Sequence, residues 1–285
     1  LSPQTYRPRQ LGILENVQSG TGTWFLGHPS FKRWLYGDVE VLWCPGISGA
    51  GKTCLMSLVI DHLERQNAAP GNVWAYIYCD YSRRQEQAPA ALLSSMLQQV
   101  VQRRTTKALP AEVLSLHQGH KKHGTRPTLA QVTATLRALT APLATFHVVV
   151  DALDECTESE EDALRFISAV RSLGSSVKLL CTSRFSSIFG NYFDSAVKLE
   201  ISAQSGDIGI FLESQLQART VLMSIVTPSA AQHPCSAHIL PPITNTHFPR
   251  SYHRTRSLKG GIKKEFRHIS EVRQSACVKV PRLNA

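Results

Sequence analysis

Long apolar runs are missing from this chain: across its 285 residues none approaches the roughly 18 consecutive positions that a membrane-crossing helix needs. No secretory leader opens it, so a soluble, cytoplasmic protein with no membrane span is expected. C-x-x-C pairs are missing too. The seven cysteines (Cys44, Cys54, Cys79, Cys156, Cys181, Cys235 and Cys277) are odd in number and lie mostly in apolar segments. That indicates neither a disulfide framework nor a zinc site, and reduced core thiols are expected. Acidic residues are scarce only at one end. Residues 221–285 hold ten Lys/Arg against two Asp/Glu, a balance of +8, whereas residues 1–220 hold 21 against 19. The basic character therefore belongs to the tail, and a near-neutral body argues against a nucleic-acid-binding face on it.

What is present is organised around one stretch, Gly46-Ile47-Ser48-Gly49-Ala50-Gly51-Lys52-Thr53, a full G-x-x-x-x-G-K-[ST] phosphate-binding loop. Val39–Cys44 before it is β-branched and apolar, and Leu55, Leu58, Val59 and Leu63 after it repeat at helical spacing, so the loop joins a strand to a helix. Glycines at 46, 49 and 51 permit positive φ and leave no Cβ between the main chain and an anion, so successive N–H groups can curl around a phosphate. The helix beginning near Lys52 adds the positive end of its dipole, and Cys54 lies in its first turn. The Lys52 ammonium is expected on the β- and γ-phosphates and the Thr53 hydroxyl on Mg²⁺.

The remaining periodicity sets the frame. Residues 1–23 suggest a linker or a short helix. Trp24, Phe25, Leu26, Phe31, Trp34 and Leu35 are dense, with Ser30 as a cap; they could wall a nucleotide base or pack the core. Val73–Cys79 is a second strand. Pro89 opens a helix with Leu92, Leu93, Met96, Leu97, Val100 and Val101 inward. His117, His120 and His123 fall in a polar connection without a carboxylate or cysteine beside them, which makes a poor metal site. Thr128 and Gln131 form a capping box. Phe146–Val150 is a third strand, Val177–Ser183 a fourth and Ala196–Ile201 a fifth, after which Asp207 caps a last helix.

The third strand ends in Asp151-Ala152-Leu153-Asp154-Glu155. Carboxylates at the end of a buried strand beside a phosphate loop suit a metal: Asp151 would hold Mg²⁺ through water, and Asp154 or Glu155 would orient the attacking water. A helix-start acidic cluster is the plainer alternative for Asp154 and Glu155, because Thr157–Asp162 follows. Arg184 sits just past the fourth strand, where its guanidinium could reach a γ-phosphate.

Gly46–Thr53, the Val148–Glu155 run, Cys181-Thr182-Ser183-Arg184 and Trp24…His28-Pro29-Ser30-Phe31…Trp34-Leu35 together resemble the NACHT domains of the STAND class of P-loop NTPases. The likeness is strongest to the nephrocystin-like N-terminal type of fungal NOD-like receptors, and it covers residues 20–218. It implies a three-layer α/β fold with a five-stranded parallel sheet in which the arginine-bearing strand lies between the two motif strands. It also implies ATP (GTP not excluded) with Mg²⁺ as ligands, and nucleotide exchange as a switch in signalling, with association among like chains. On the family's motif positions fall Lys52, Thr53, Asp151 and Arg184, with Asp154 and Glu155 as the acidic pair. Two departures stand out. Position 185 is Phe where the family has Pro, and the winged-helix region and repeats that follow the family's core are not legible after residue 218, so the chain is expected to be a truncated module. Residues 24–218 are thus the expected domain and 219–285 a basic, poorly structured tail without a repeat. A nucleic-acid-binding arm is the sharper alternative for that tail, weakened by its few aromatics, Phe248, Tyr252 and Phe266.

Overall fold

The computed structural model describes residues 6–66, 72–103 and 108–226, with side chains described through residue 217. In chain order the elements are α1 (Arg7–Glu15), α2 (Thr23–Gly27), α3 (Pro29–Tyr36), β1 (Val41–Pro45), α4 (Lys52–Gln66), β2 (Asn72–Tyr78), α5 (Pro89–Gln102), α6 (Ala111–His123) and α7 (Leu129–Thr140). They continue with β3 (Thr145–Asp151), α8 (Glu160–Arg171), β4 (Val177–Ser183), α9 (Ser187–Tyr192), β5 (Val197–Lys198) and α10 (Ser205–Val226).

Apolar, β-branched runs with little alternation make strands buried on both faces, which is the requirement of a parallel sheet covered by helices. The five strands are parallel in the order β2-β3-β4-β1-β5. Helices α5, α7 and α8 pack together on one face, and α1, α3 and α4 on the other. The expected three-layer α/β fold is the observed one, with β4 between the two motif-bearing strands. In such a sheet the C-terminal strand ends share one rim, and the site residues lie there.

The lead-in aromatics are core. Phe25, Phe31 and Trp34 are fully buried, Trp34 edge-on to His147 with ring centres 5.1 Å apart. Helix α3 is capped by His28, whose Nδ1 accepts from the Ser30 N–H at 3.1 Å, so Ser30 lies inside the helix; Pro29 supplies the fixed φ of a first turn. Strand β1 begins two residues later than Val39, because the Val39 N–H is used by the Arg33 carbonyl at 3.3 Å. The fifth strand is shorter than expected, yet the Leu199 and Ile201 N–H groups still donate to Trp43 and Pro45 carbonyls at 2.9 and 2.8 Å, so the ladder carries on irregularly beside β1.

Residues 111–123, expected as a polar connection, form α6. Val113 is its one buried side chain, too thin a stripe for apolar periodicity to reveal, although Gly124 at φ +61° marks its end in the usual way. Asp207 lies in the first turn of α10 rather than at its cap; its carboxylate accepts from the Gly22 N–H at 3.0 Å and the Trp24 Nε1–H at 3.2 Å. The capping box of Thr128 and Gln131 is present as expected. From residue 227 the expected tail lies outside the described residues, as do Cys235 and Cys277.

His147 ties the core to pH. Burial holds its imidazole down to about 4, aided by the Lys178 charge and opposed by the contact of Nε2 with the Leu35 carbonyl at 3.2 Å. The unfolded chain takes up this proton near 6.5 and the fold refuses it until about 4, so stability falls as pH drops through that window. Between pH 7 and 5 this group alone should remove about 2 kcal/mol. Urea midpoints should therefore fall further in the parent than in His147→Gln; parallel profiles would refute the assignment.

Candidate functional site

Strand β1 feeds directly into the phosphate loop, and the loop's glycines serve different ends. Gly49 and Gly51 adopt φ of +79° and +87°, the left-handed region that glycine enters without strain. At Gly46 the need is space rather than φ: a Cβ there would stand 2.4 Å from the Ile201 carbonyl oxygen. The Gly46 N–H donates to the Ser183 carbonyl at 3.1 Å, which stitches the loop's start to the end of β4. Ala50 packs into the core, while Ile47, Ser48, Gly49 and Gly51 face outward and Cys54 is exposed. The N–H groups of Gly49, Gly51, Lys52, Thr53 and Cys54 have no acceptor among the described residues. These are the orphan donors of a helix start and its loop, the donor set that an anion cradle requires.

The Lys52 ammonium closes back on that loop, donating to the Gly46 and Ile47 carbonyls at 2.8 and 2.7 Å. Half-burial lowers its affinity for its proton. Asp154, Asp151 and Glu155 raise it again through their charges, and Arg184 opposes them. All five expected charged groups therefore lie within electrostatic reach of one point.

Asp151, at the end of β3, is fully buried and accepts two hydroxyl hydrogen bonds at 2.7 Å, from Thr53 on Oδ2 and from Thr182 on Oδ1. Burial pushes its carboxyl pKa up, and the two hydroxyls pull it part of the way back. Thr182 also accepts the Ala152 N–H at 2.9 Å, which holds Ala152 at φ +55°, the one non-glycine residue with positive φ among those described. That turn sends the chain into a 3₁₀ segment, Leu153–Glu155, carrying the acidic pair. Thr182 enters the sequence reading only as part of the Cys181–Arg184 strand end; nothing there marks it as the residue that seats Asp151.

The acidic pair is divided. Asp154 is engaged by Arg184, whose main-chain N–H reaches Oδ1 at 2.9 Å and whose Nε reaches Oδ2 at 2.6 Å. Glu155 has no side-chain partner among the described residues. Arg84, a second cation that sequence reasoning passed over, donates to the Asp154 carbonyl at 2.9 Å from a 3₁₀ segment, Tyr81–Glu86, that follows β2. Arg184 is steadied from below by Ser183, whose Oγ accepts from Trp43 Nε1 at 3.0 Å and donates to the Arg184 carbonyl at 2.8 Å.

This arrangement fits a magnesium nucleotide. A hydroxyl and a carboxylate 2.7 Å apart are hard oxygen donors of the kind Mg²⁺ takes, directly or through water, beside a cradle of unpaired N–H groups and a lysine. Thr53 can go on donating to Asp151 while its lone pair faces a cation.

Three comparisons bear on the chain. The family described as "Nephrocystin 3, N-terminal" matches residues 20–184, more than half of it, from the lead-in through Arg184. Vegetative incompatibility protein HET-E-1 of Podospora anserina is 24% identical over 195 residues, which are 67% of this chain and 14% of that protein. The chain thus spans only a small part of that relative's length. Among solved structures, the Aeropyrum pernix ORC1 protein in complex with DNA is 18% identical at a TM-score of 0.43, covering 76% of this chain and 51% of that one. Drosophila ORC bound to DNA is 14% identical at a TM-score of 0.45, covering 75% of this chain and 52% of that one. The family match bears out the NACHT-type resemblance carried by the motifs.

Two substitutions probe the seat of Asp151. Thr182→Val removes a donor to a buried carboxylate and an acceptor for the Ala152 N–H, and should cost about 2–4 kcal/mol in urea unfolding. Asp151→Asn removes a charge that the fold holds at a raised pKa while keeping acceptors and donors for both hydroxyls. Without ligand it should melt at least as high as the parent at pH 7, and a large loss would contradict this account of the seat.

Proposed function

The chain belongs to the nephrocystin 3 N-terminal family, and from that premise we propose that it is a nucleotide-binding switch module, binding Mg²⁺–ATP, with GTP as the alternative base, and hydrolysing it slowly. The observation that carries this reading is the 2.7 Å contact of Thr53 with Asp151 beneath a loop of unpaired N–H groups. In it the loop holds the phosphates through residues Gly46 to Cys54, Thr53 and Asp151 hold the cation, and Lys52 exchanges its loop carbonyls for phosphate oxygens. Bound Mg²⁺ supplies charge neutralisation at the phosphates. Arg184 would reach the terminal phosphate, and Glu155 would be the carboxylate free to orient water. This reading takes hydrolysis to be slow because it invokes no arginine brought in by a partner, and such a residue is worth about 10³–10⁵ in rate. A slow hydrolase suits a switch whose bound state controls signalling or association in the cytoplasm.

A second reading, a non-catalytic truncated scaffold that acts by associating with its own copies or with related chains, is favoured by α10. Ile208, Phe211 and Leu212 on that helix are 47%, 49% and 53% exposed. Phe211→Glu with Leu212→Glu should then abolish self-association in sedimentation, with nucleotide binding intact.

The main test is thermal unfolding of the parent and Lys52→Ala with Mg²⁺–ATP or Mg²⁺–GTP. At 100-fold over its dissociation constant a ligand should stabilise the parent alone by about 2.7 kcal/mol, and the base that does so is the ligand. Phosphate release should vanish in Lys52→Ala. Asp151→Asn should lose turnover more than binding; full turnover in that variant would remove the metal role from Asp151.

A further inference from the structure

Either carboxylate of the acidic pair could, by position, orient water, but the structure gives them different surroundings. Asp154 already accepts two N–H groups of one arginine, one on each oxygen, its side chain is 10% exposed, and a cation stands against it. What the pairing does for the arginine is more telling. An arginine has five donors, one on Nε and four on its terminal fork. Asp154 takes only Nε and the main-chain N–H; the two terminal nitrogens of Arg184 have no partner among the described residues, and the side chain is 54% exposed. The outer fork, the part that matches phosphate oxygens two at a time, is left open.

Asp154 is itself held. Arg84 donates from a terminal nitrogen to its carbonyl at 2.9 Å and lies 4.0 Å over the Tyr81 ring, which fixes that guanidinium in place. Arg84, Asp154 and Arg184 line one cleft of about 350 Å³ together with Glu158 and Glu160, and no phosphate-loop residue is among its lining. We propose that Asp154 is a positioning residue, buttressed by Arg84, which grips Arg184 by its Nε so that the free fork is presented to the terminal phosphate and discriminates triphosphate from diphosphate. Restraining an arginine before the ligand arrives removes part of the ordering cost that a loose side chain would bring to binding. This inference rests on the nucleotide-site reading above.

The test is calorimetric affinity for ADP and for its β,γ-imido triphosphate analogue, with Mg²⁺, in the full chain. Arg184→Ala should cut the triphosphate preference about 10-fold or more, Asp154→Ala about 3–10-fold, and Arg84→Ala about 2–5-fold. The double variant Asp154→Ala/Arg184→Ala should lose no more than Arg184→Ala alone, because Asp154 acts through the arginine. Glu155→Gln should instead slow phosphate release with the preference intact. ADP affinity, held by the loop, should stay within about two-fold throughout and reports that each variant is folded. If Asp154→Ala loses ADP affinity as well, Asp154→Asn, which keeps one acceptor oxygen, should show the same loss of preference in smaller degree. Asp154→Ala or Asp154→Asn with the parental preference but slowed phosphate release would overturn the proposal and make Asp154 the base, and additive losses in the double variant would overturn it equally. A parent that binds neither nucleotide would refute the site reading itself, a separate outcome visible before any variant is made.

Discussion

The structure depends on a buried negative charge at the end of a strand. Asp151 is out of contact with water and cannot remain so without donors, because an unpaired carboxylate in a core would cost several kcal/mol or take up a proton. Its donors come from two different elements, Thr53 in the first turn of α4 and Thr182 near the end of β4. Meeting that need fixes three strand ends together. Strands β3 and β4 pair with Val150 opposite Cys181, and β1 and β4 with Cys44 opposite Thr182. A slip by one residue in either pairing would turn Thr182 to the other face and leave the carboxylate bare. The register of the sheet's centre is therefore tied to the placement of the phosphate loop.

From that anchor the rim is built outward by short local bonds. Thr182 fixes the Ala152 turn, the turn sets the direction of the 3₁₀ segment, and the segment carries Asp154 to Arg184 while Glu155 is left unpaired. The two members of an acidic pair, adjacent in sequence, thus come to face different chemistry. Adjacent residues on a tight turn point apart, so neighbouring positions in a motif need not share a role.

Much of this was legible beforehand because the relevant signals are local. The phosphate loop, the β4 boundaries, the Thr128 capping box and the helix from Pro89 each rest on a few neighbouring residues, and each appears where expected. What escaped was long-range or thinly patterned. Thr182 and Arg84 gain their meaning from partners 31 and 70 residues away. Helix α6 buries one side chain, so its periodicity is faint. Asp207 looks like a cap by type and spacing, but its carboxylate is drawn to Gly22 and Trp24, 185 and 183 residues away, and tertiary contact overrides the local rule. His28 caps α3 where Ser30 looked the better candidate, since Pro29 fixes the first helical position behind it.

The halves of the site differ in how much must change when a ligand arrives. On the cation side little need move: a hydroxyl can donate to a carboxylate and offer a lone pair elsewhere at the same time, so Thr53 and Asp151 are already in place. Arg184 is held by one nitrogen with its fork open. Lys52 is the exception, because both of its hydrogen bonds go to carbonyls of the loop that would receive the phosphates. It can only exchange those neutral acceptors for charged ones, a favourable trade for an ammonium already made costly by half-burial. The moving part is then a single side chain. In the proposed switch, discrimination between nucleotide states would fall to Asp154 and Arg184 beyond the loop, which is the separation needed if binding and sensing are to be set independently.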